Sequence, residues 1–122
     1  MNENAIVGSR SIADVDLSAF VHEDVTEIIS GGAKGVDMTA KEYARKNMID
    51  YKEFLPEYSK YGRAAPIARN KEIVDYADFI LIFWDGESRG TKWVIDYCKK
   101  SNKEYNVINC NPIEGITVDS KY

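Results

Sequence analysis

The run Ile28-Ile29-Ser30-Gly31-Gly32-Ala33-Lys34-Gly35-Val36-Asp37 sets an apolar β-branched pair, a glycine-rich turn and the start of a helical pattern in direct succession. A strand–turn–helix passage of this kind leaves the first N–H groups of the helix without intrahelical partners, facing the turn. Those donors and the positive end of the helix dipole favour an anion, by about 0.3–1 kcal/mol when exposed and up to about 2 kcal/mol when partly buried. Gly31, Gly32 and Gly35, with the Ala33 N–H and Ser30 in the same turn, therefore read as a phosphate cradle. The competing reading is a tight connection that needs small residues for packing alone. Lys34 is followed by Gly35 and not by a Lys-Ser/Thr pair, so this is no P-loop, and the glycine spacing is not that of the dinucleotide fingerprint. As a cradle, the turn predicts that Gly32→Asp removes ligand binding and leaves the fold intact.

Other residues could complete such a site. Gly8-Ser9-Arg10 follows one apolar run, and Asp85-Gly86-Glu87-Ser88-Arg89-Gly90-Thr91 follows another. Gly86, Ser88, Gly90 and Thr91 would form a second cradle, with Thr91 equally suited to capping a helix. Arg10, Arg69 and Arg63 are candidates for charge-assisted contacts to phosphate, or for surface ion pairs. Asp37 could accept hydrogen bonds from ribose hydroxyls or simply complement a helix dipole; Asp85 has the same ambiguity, with turn formation as its other role. Asn70, on an inner helix face, could tie loops together or touch the ligand. Tyr58, Tyr61 and Trp84 could stack on a base, with packing the alternative for Trp84. Lys34 and His22 read as solvated side chains.

The elements that must carry these residues follow from periodicity. Ala5-Ile6-Val7 is a short buried strand entering a loop, and a weak helix follows from Asp14 to Val21 with Asp14 or Asp16 as cap. Thr26 to Ile29 is the second strand. From Val36, apolar and small residues at 36, 40, 43, 44 and 48 fall on one helical face that ends near Lys46-Asn47. Tyr51 to Leu55 is a third strand, residues 56–62 a loop, and Ala64 or Ala65 to Tyr76 a helix with Pro66 in its first turn. Its inner face reads as Ile67, Asn70, Val74 and Ala77. Phe79 to Trp84 shows no alternation, as in a central strand covered on both faces. Thr91 to Lys100 is a helix, Glu104 to Asn109 a fifth strand, and the tail from Pro112 an edge strand or a cover for the sheet. Strands alternating with helices imply parallel βαβ units. The fold class is therefore α/β, a Rossmann-like three-layer α/β/α sandwich with a mostly parallel sheet of about five strands. Loops 8–10, 30–35, 56–63 and 85–90 all follow strands and should share one rim, where such sheets hold ligands.

Composition bounds the rest. The 122 residues suit one domain, and acidic side chains exceed basic ones by 20 to 16 for a formal charge of −4. That argues against a general nucleic-acid binder, which carries a basic face. Cys98, Cys110 and His22 show no zinc or redox spacing, and neither metal nor cofactor is expected. Met1 to Asn4 has no secretory pattern and the longest apolar run is too short for a membrane span, so a cytoplasmic protein is expected.

Taken together these blocks resemble the SLOG superfamily, the Rossmann-like group that includes the SMF/DprA and Lonely Guy (LOG) proteins, and within it the small YspA-type (DUF2493) branch. The resemblance rests on Gly8-Ser9-Arg10, Ser30 to Asp37, Pro56-Glu57-Tyr58 through Ala65, Arg69-Asn70, and Trp84-Asp85-Gly86-x-Ser88-x-Gly90-Thr91. It implies binding of nucleotides or nucleotide-derived signals, such as an ADP-ribose or cyclic ADP-ribose type ligand, with N-glycosidic hydrolysis in some branches. LOG enzymes carry P-G-G-x-G-T-x-x-E, and where that motif has its glutamate this chain has Val94, which cannot transfer a proton. A sensor or sequestering protein is thus expected ahead of a phosphoribosyl hydrolase using Asp37 or Asp85, or a DNA-processing accessory. A chain of this length leaves little room for an effector domain, so output is expected through a partner or a homo-oligomer, a dimer or higher.

Overall fold

The computed structural model describes residues 2–12, 15–111 and 115–120, with the backbone alone described from Asn111 onward. Six strands, β1 (Glu3–Gly8), β2 (Glu27–Ser30), β3 (Asp50–Glu53), β4 (Phe79–Trp84), β5 (Glu104–Asn111) and β6 (Gly115–Ser120), form one sheet in the order 3-2-1-4-5-6. The first five pair in parallel, and β6 closes the far edge antiparallel to β5. The helices are α1 (Val36–Lys46), α2 (Tyr58–Tyr61), α3 (Ala65–Tyr76) and α4 (Arg89–Ser101). The architecture is the expected Rossmann-like α/β/α sandwich, with the antiparallel β6 added at its edge.

The unbroken apolar run of β4 serves two cores at once, because successive strand side chains point to opposite faces. Ile80 and Ile82 join Ala5, Val7 and Ile29 beneath Ile73, Val74, Val94, Ile95 and Cys98 of α3 and α4. Leu81 and Phe83 join Ile6 and Ile28 on the other face, beneath Val36, Ala40 and Ala44 of α1 and the apolar residues of the segment between β1 and β2. The small residues at 40 and 44 let α1 lie close to the sheet, so a larger side chain at Ala40, which is fully buried, would overpack by about 1–3 kcal/mol.

Several boundaries differ from the sequence expectation. The segment before β2 forms a 3₁₀ turn at Leu17–Ala19, not a helix, and Asp16 caps it by accepting from the Ser18 N–H at 3.1 Å; Asp14 lies outside the described residues, as does Pro112. The third strand stops at Glu53, and the expected loop after it contains α2 and a 3₁₀ turn at Gly62–Ala64. Met48 is 94% exposed, because α1 has ended before it, and Ile67 is 47% exposed. The core face of α3 is Ala65, Ile73, Val74 and the adjoining Ala77, so Val74 and Ala77 are buried as expected and Ile67 and Asn70 are not. Helix α4 begins two residues early, at Arg89, because Ser88 supplies its cap. Among the described residues no helix is long and apolar enough to cross a membrane.

The strand order reverses between β1 and β4. The chain leaves β1 toward the α1 face and leaves β4 toward the α4 face, so the loops after these neighbouring strands diverge and open a crevice at their carboxyl ends.

Candidate functional site

That crevice is a cleft of about 400 Å³, and four segments line it. Val7, Gly8, Arg10 and Ser11 come from the end of β1, and Gly31, Ala33 and Asp37 from the turn into α1. Pro66, Arg69, Asn70 and Ile73 come from α3, and Asp85, Ser88, Gly90, Thr91 and Val94 from the turn after β4 and the start of α4. Three of the four expected loops therefore meet. The fourth, residues 56–63, contributes no lining residue, so Arg63, Tyr58 and Tyr61 stand outside the cleft.

Hydrogen bonds join the β1 and β4 loops into one body. The Ser9 N–H donates to the Phe83 carbonyl at 3.0 Å, the Asp85 N–H donates to Ser9 Oγ at 3.2 Å, and the Ser9 and Thr91 hydroxyls lie 3.4 Å apart. Ser9 is buried and works as a strut behind the cleft. Asp85 turns its carboxylate onto its own loop, accepting from the Ser88 N–H at 2.8 Å, the Glu87 N–H at 2.9 Å and the Ser11 hydroxyl at 2.7 Å. Desolvation alone would raise its pKa, but these donors outweigh it and hold the carboxyl near 2. Asp85 is a fixed anion that shapes the turn, with Gly86 exposed at its tip and away from the lining.

The start of α4 is the open side of the cleft. Ser88 Oγ accepts from the Thr91 N–H at 3.4 Å, so Thr91 is capped by Ser88 and is not itself the cap. The N–H groups of Arg89 and Gly90, at the first two helical positions, have no intrahelical acceptor. A Cβ built on Gly90 would meet nothing within 4 Å, so no packing contact calls for glycine there. Arg10 is exposed on the facing loop, and among the described residues no acidic side chain pairs with it.

The glycine turn after β2 is arranged differently from its sequence reading. Asp37, only 6% exposed, accepts the Ala33 N–H at 3.1 Å, the donor assigned to phosphate. Burial raises its pKa to about 6, against the lowering effects of the Ala33 and Gly31 backbone and of the Arg69 guanidinium. Arg69 in turn donates through Nη1 to the Gly31 carbonyl at 2.8 Å and, at 3.5 Å, to that of Phe54; burial lowers its own pKa. It clamps the turn and the end of β3 onto α3, and is no surface ion pair. Ser30 is fully buried, bonded to the Tyr51 hydroxyl, with the Gly32 N–H on its Oγ at 3.4 Å. Gly35 has φ +78°, and a Cβ there would lie 2.6 Å from the Ile12 carbonyl oxygen. Ser30, Gly32 and Gly35 thus hold the loops together and do not line the cleft.

Trp84 is also a packing residue, its Nε1–H donating to the Ser88 carbonyl at 3.1 Å. Sequence reasoning missed Val7, Ser11, Pro66, Ile73 and Val94 as lining residues. The i, i+4, i+7 spacing of Pro66, Asn70 and Ile73 was a readable signal for a common face. No group of metal-ligating side chains occurs among the described residues.

What the fold and cleft define is a Rossmann-like α/β/α protein with a polar crevice at the β1/β4 switch point. No protein-family model, curated protein or solved structure matches the chain.

Proposed function

We propose that this protein binds a nucleotide or nucleotide-derived signal of the ADP-ribose kind in the β1/β4 cleft, with a phosphate at the start of α4 beside Arg10. One observation carries the reading: Gly90 sits at a helix start with open space where a Cβ would be, in a cleft it shares with Arg10, which pairs with no acidic side chain among the described residues, at the switch point of the sheet. Small backbone, orphan N–H donors and a guanidinium together suit a phosphate. Part of each of four blocks that carry the resemblance to the SLOG superfamily lines this cleft (Gly8 and Arg10; Gly31, Ala33 and Asp37; Arg69 and Asn70; Asp85, Ser88, Gly90 and Thr91), which supports the same ligand class. The block from Pro56 to Ala65 does not line it. Elsewhere in the cleft the Asp37 carboxyl can accept hydrogen bonds from the hydroxyls of a sugar. A sensing or sequestering role through a homo-oligomer or another partner belongs to the same proposal, with nucleic acid not among its ligands.

A second reading, N-glycosidic hydrolysis, is favoured by one feature. Asp37 is a buried cleft carboxyl with a pKa near 6, the range a general acid or base requires. Asp85, held near 2 by its own loop, is unsuited to that task. Thermal-shift titration with AMP, NAD, ADP-ribose and cyclic ADP-ribose tests binding, and chromatography of the same mixtures tests turnover. Stabilisation without released base supports the binder, and released base moves the protein to the hydrolases.

A further inference from the structure

Arg69 and Asn70 are neighbours on α3, and the contact between them fixes which way the amide faces. Arg69 Nε–H donates to Asn70 Oδ1 at 2.9 Å. A guanidinium has donors only, so this bond assigns the carbonyl end of the amide to Arg69 and leaves the NH₂ end as the free one. Among the described residues nothing accepts from that NH₂, and Asn70 lines the cleft. Arg69 is itself anchored at 2.8 Å to the Gly31 carbonyl, so the amide is oriented by a clamped residue.

Apart from Arg69, the other α3 residues that line the cleft beside Asn70 are apolar. Pro66 and Ile73 stand four residues before and three after Asn70 on the same helix, and Val94 of α4 is a further apolar lining residue; Ile73 and Val94 are buried, so Pro66 is the more open of the three. A phosphate gains little against proline, valine and isoleucine, whereas a flat ring presenting an acceptor at its edge matches an apolar lining with one oriented donor. Tyr58, Tyr61 and Trp84, the aromatic candidates for stacking, do not line the cleft.

We infer that the α3 wall is the base subsite, and that Asn70 selects ligands by donating its Nδ2–H to a ring nitrogen or carbonyl of a heteroaromatic base. This rests on the nucleotide reading and adds the part of the site that tells a nucleotide from a bare sugar phosphate. Arg69 is a positioning residue here.

Titration calorimetry with AMP and ribose 5-phosphate separates the two claims. The unaltered protein should bind AMP at least tenfold more tightly than ribose 5-phosphate. Asn70→Ala should weaken AMP about tenfold and leave ribose 5-phosphate within twofold; Asn70→Ser, if the alanine variant unfolds, should behave the same way. Equal affinity for the two probes in the unaltered protein, or equal weakening of both by Asn70→Ala, overturns the base subsite while the phosphate site stands. Failure of both probes to bind the unaltered protein overturns the nucleotide reading and this inference with it.

Discussion

The Asp37 carboxylate accepts the Ala33 N–H at 3.1 Å, so the first turn of α1 folds its own anion back onto the glycine turn. The consequence is a division of labour between two glycine-bearing turns that look alike in sequence. In the turn after β2 the Gly32 and Ala33 N–H groups are answered by Ser30 and Asp37, whereas the Arg89 and Gly90 N–H groups at the start of α4 have no intrahelical acceptor.

Asp37 should give the stability curve a definite slope. Its folded-state pKa, about 6, is raised above the ordinary 3.8, so the neutral form is favoured by folding. The associated stability is fully present below pH 3.8 and is lost as pH rises toward 6. Asp37→Asn should therefore gain on the parent protein between those limits, by up to about 3 kcal/mol in urea unfolding. A constant difference from pH 4 to 7 would mean that Asp37 is not desolvated.

Asp85 should behave in the opposite sense. Its carboxyl lies near 2, below the ordinary 3.8, so its stabilisation is present above pH 3.8 and is lost as pH falls toward 2. Asp85→Ala should cost about 1–2 kcal/mol at pH 7, allowing for solvent screening and the loss of two backbone hydrogen bonds. Denaturant unfolding should show the gap closing toward pH 2.

Glycines 35 and 90 should respond in opposite ways to alanine. At Gly35 a positive φ and a carbonyl 2.6 Å from the new Cβ should make the substitution cost more than about 2 kcal/mol. At Gly90 the space is open and the residue helical, so alanine should add about 0.5–1 kcal/mol while reducing nucleotide affinity. Gly32→Asp, expected from the sequence to leave the fold intact, should instead destabilise it. Its φ is +70°, and the new Cβ would sit 2.7 Å from the Glu53 carboxyl carbon, placing two carboxylates together. Thermal unfolding of the three variants checks all of this.

The two cleft arginines should separate clamp from ligand. Arg69→Met removes the bonds to the Gly31 and Phe54 carbonyls and the charge beside Asp37, and should cost about 2–3 kcal/mol. Arg10→Ala, at an exposed position, should leave stability within about 0.5 kcal/mol and weaken AMP binding. Calorimetry beside denaturant unfolding distinguishes them.

The fold was legible because its signals are local. The unbroken Phe79–Trp84 run, the glycines after β2 and β4, and the 36-40-44 spacing of α1 each state their own structure. The site was legible only as far as the loops that meet. That Ser30 is spent on Tyr51 and that Arg69 bonds carbonyls from two other segments are tertiary facts with no trace in spacing, whereas the Ala33–Asp37 bond spans only four residues. Ile67 was misplaced for a related reason. Periodicity gives a helix an apolar stripe, and Val74 and Ala77 of the expected stripe are in the core, but Asn70 faces the cleft and Ile73 is buried where Ile67 was expected.

The most direct test of the cleft as a nucleotide site is the thermal unfolding midpoint with AMP, NAD, ADP-ribose and cyclic ADP-ribose, measured on the parent protein and on Arg10→Ala. At about 100 times its dissociation constant a true ligand adds about 2.7 kcal/mol, a shift of several degrees for a chain of this size. Such a shift is expected with at least one of the four, sharply reduced in Arg10→Ala. No shift with any of them at millimolar concentration, or an equal shift in the two proteins, would contradict a nucleotide site in this cleft.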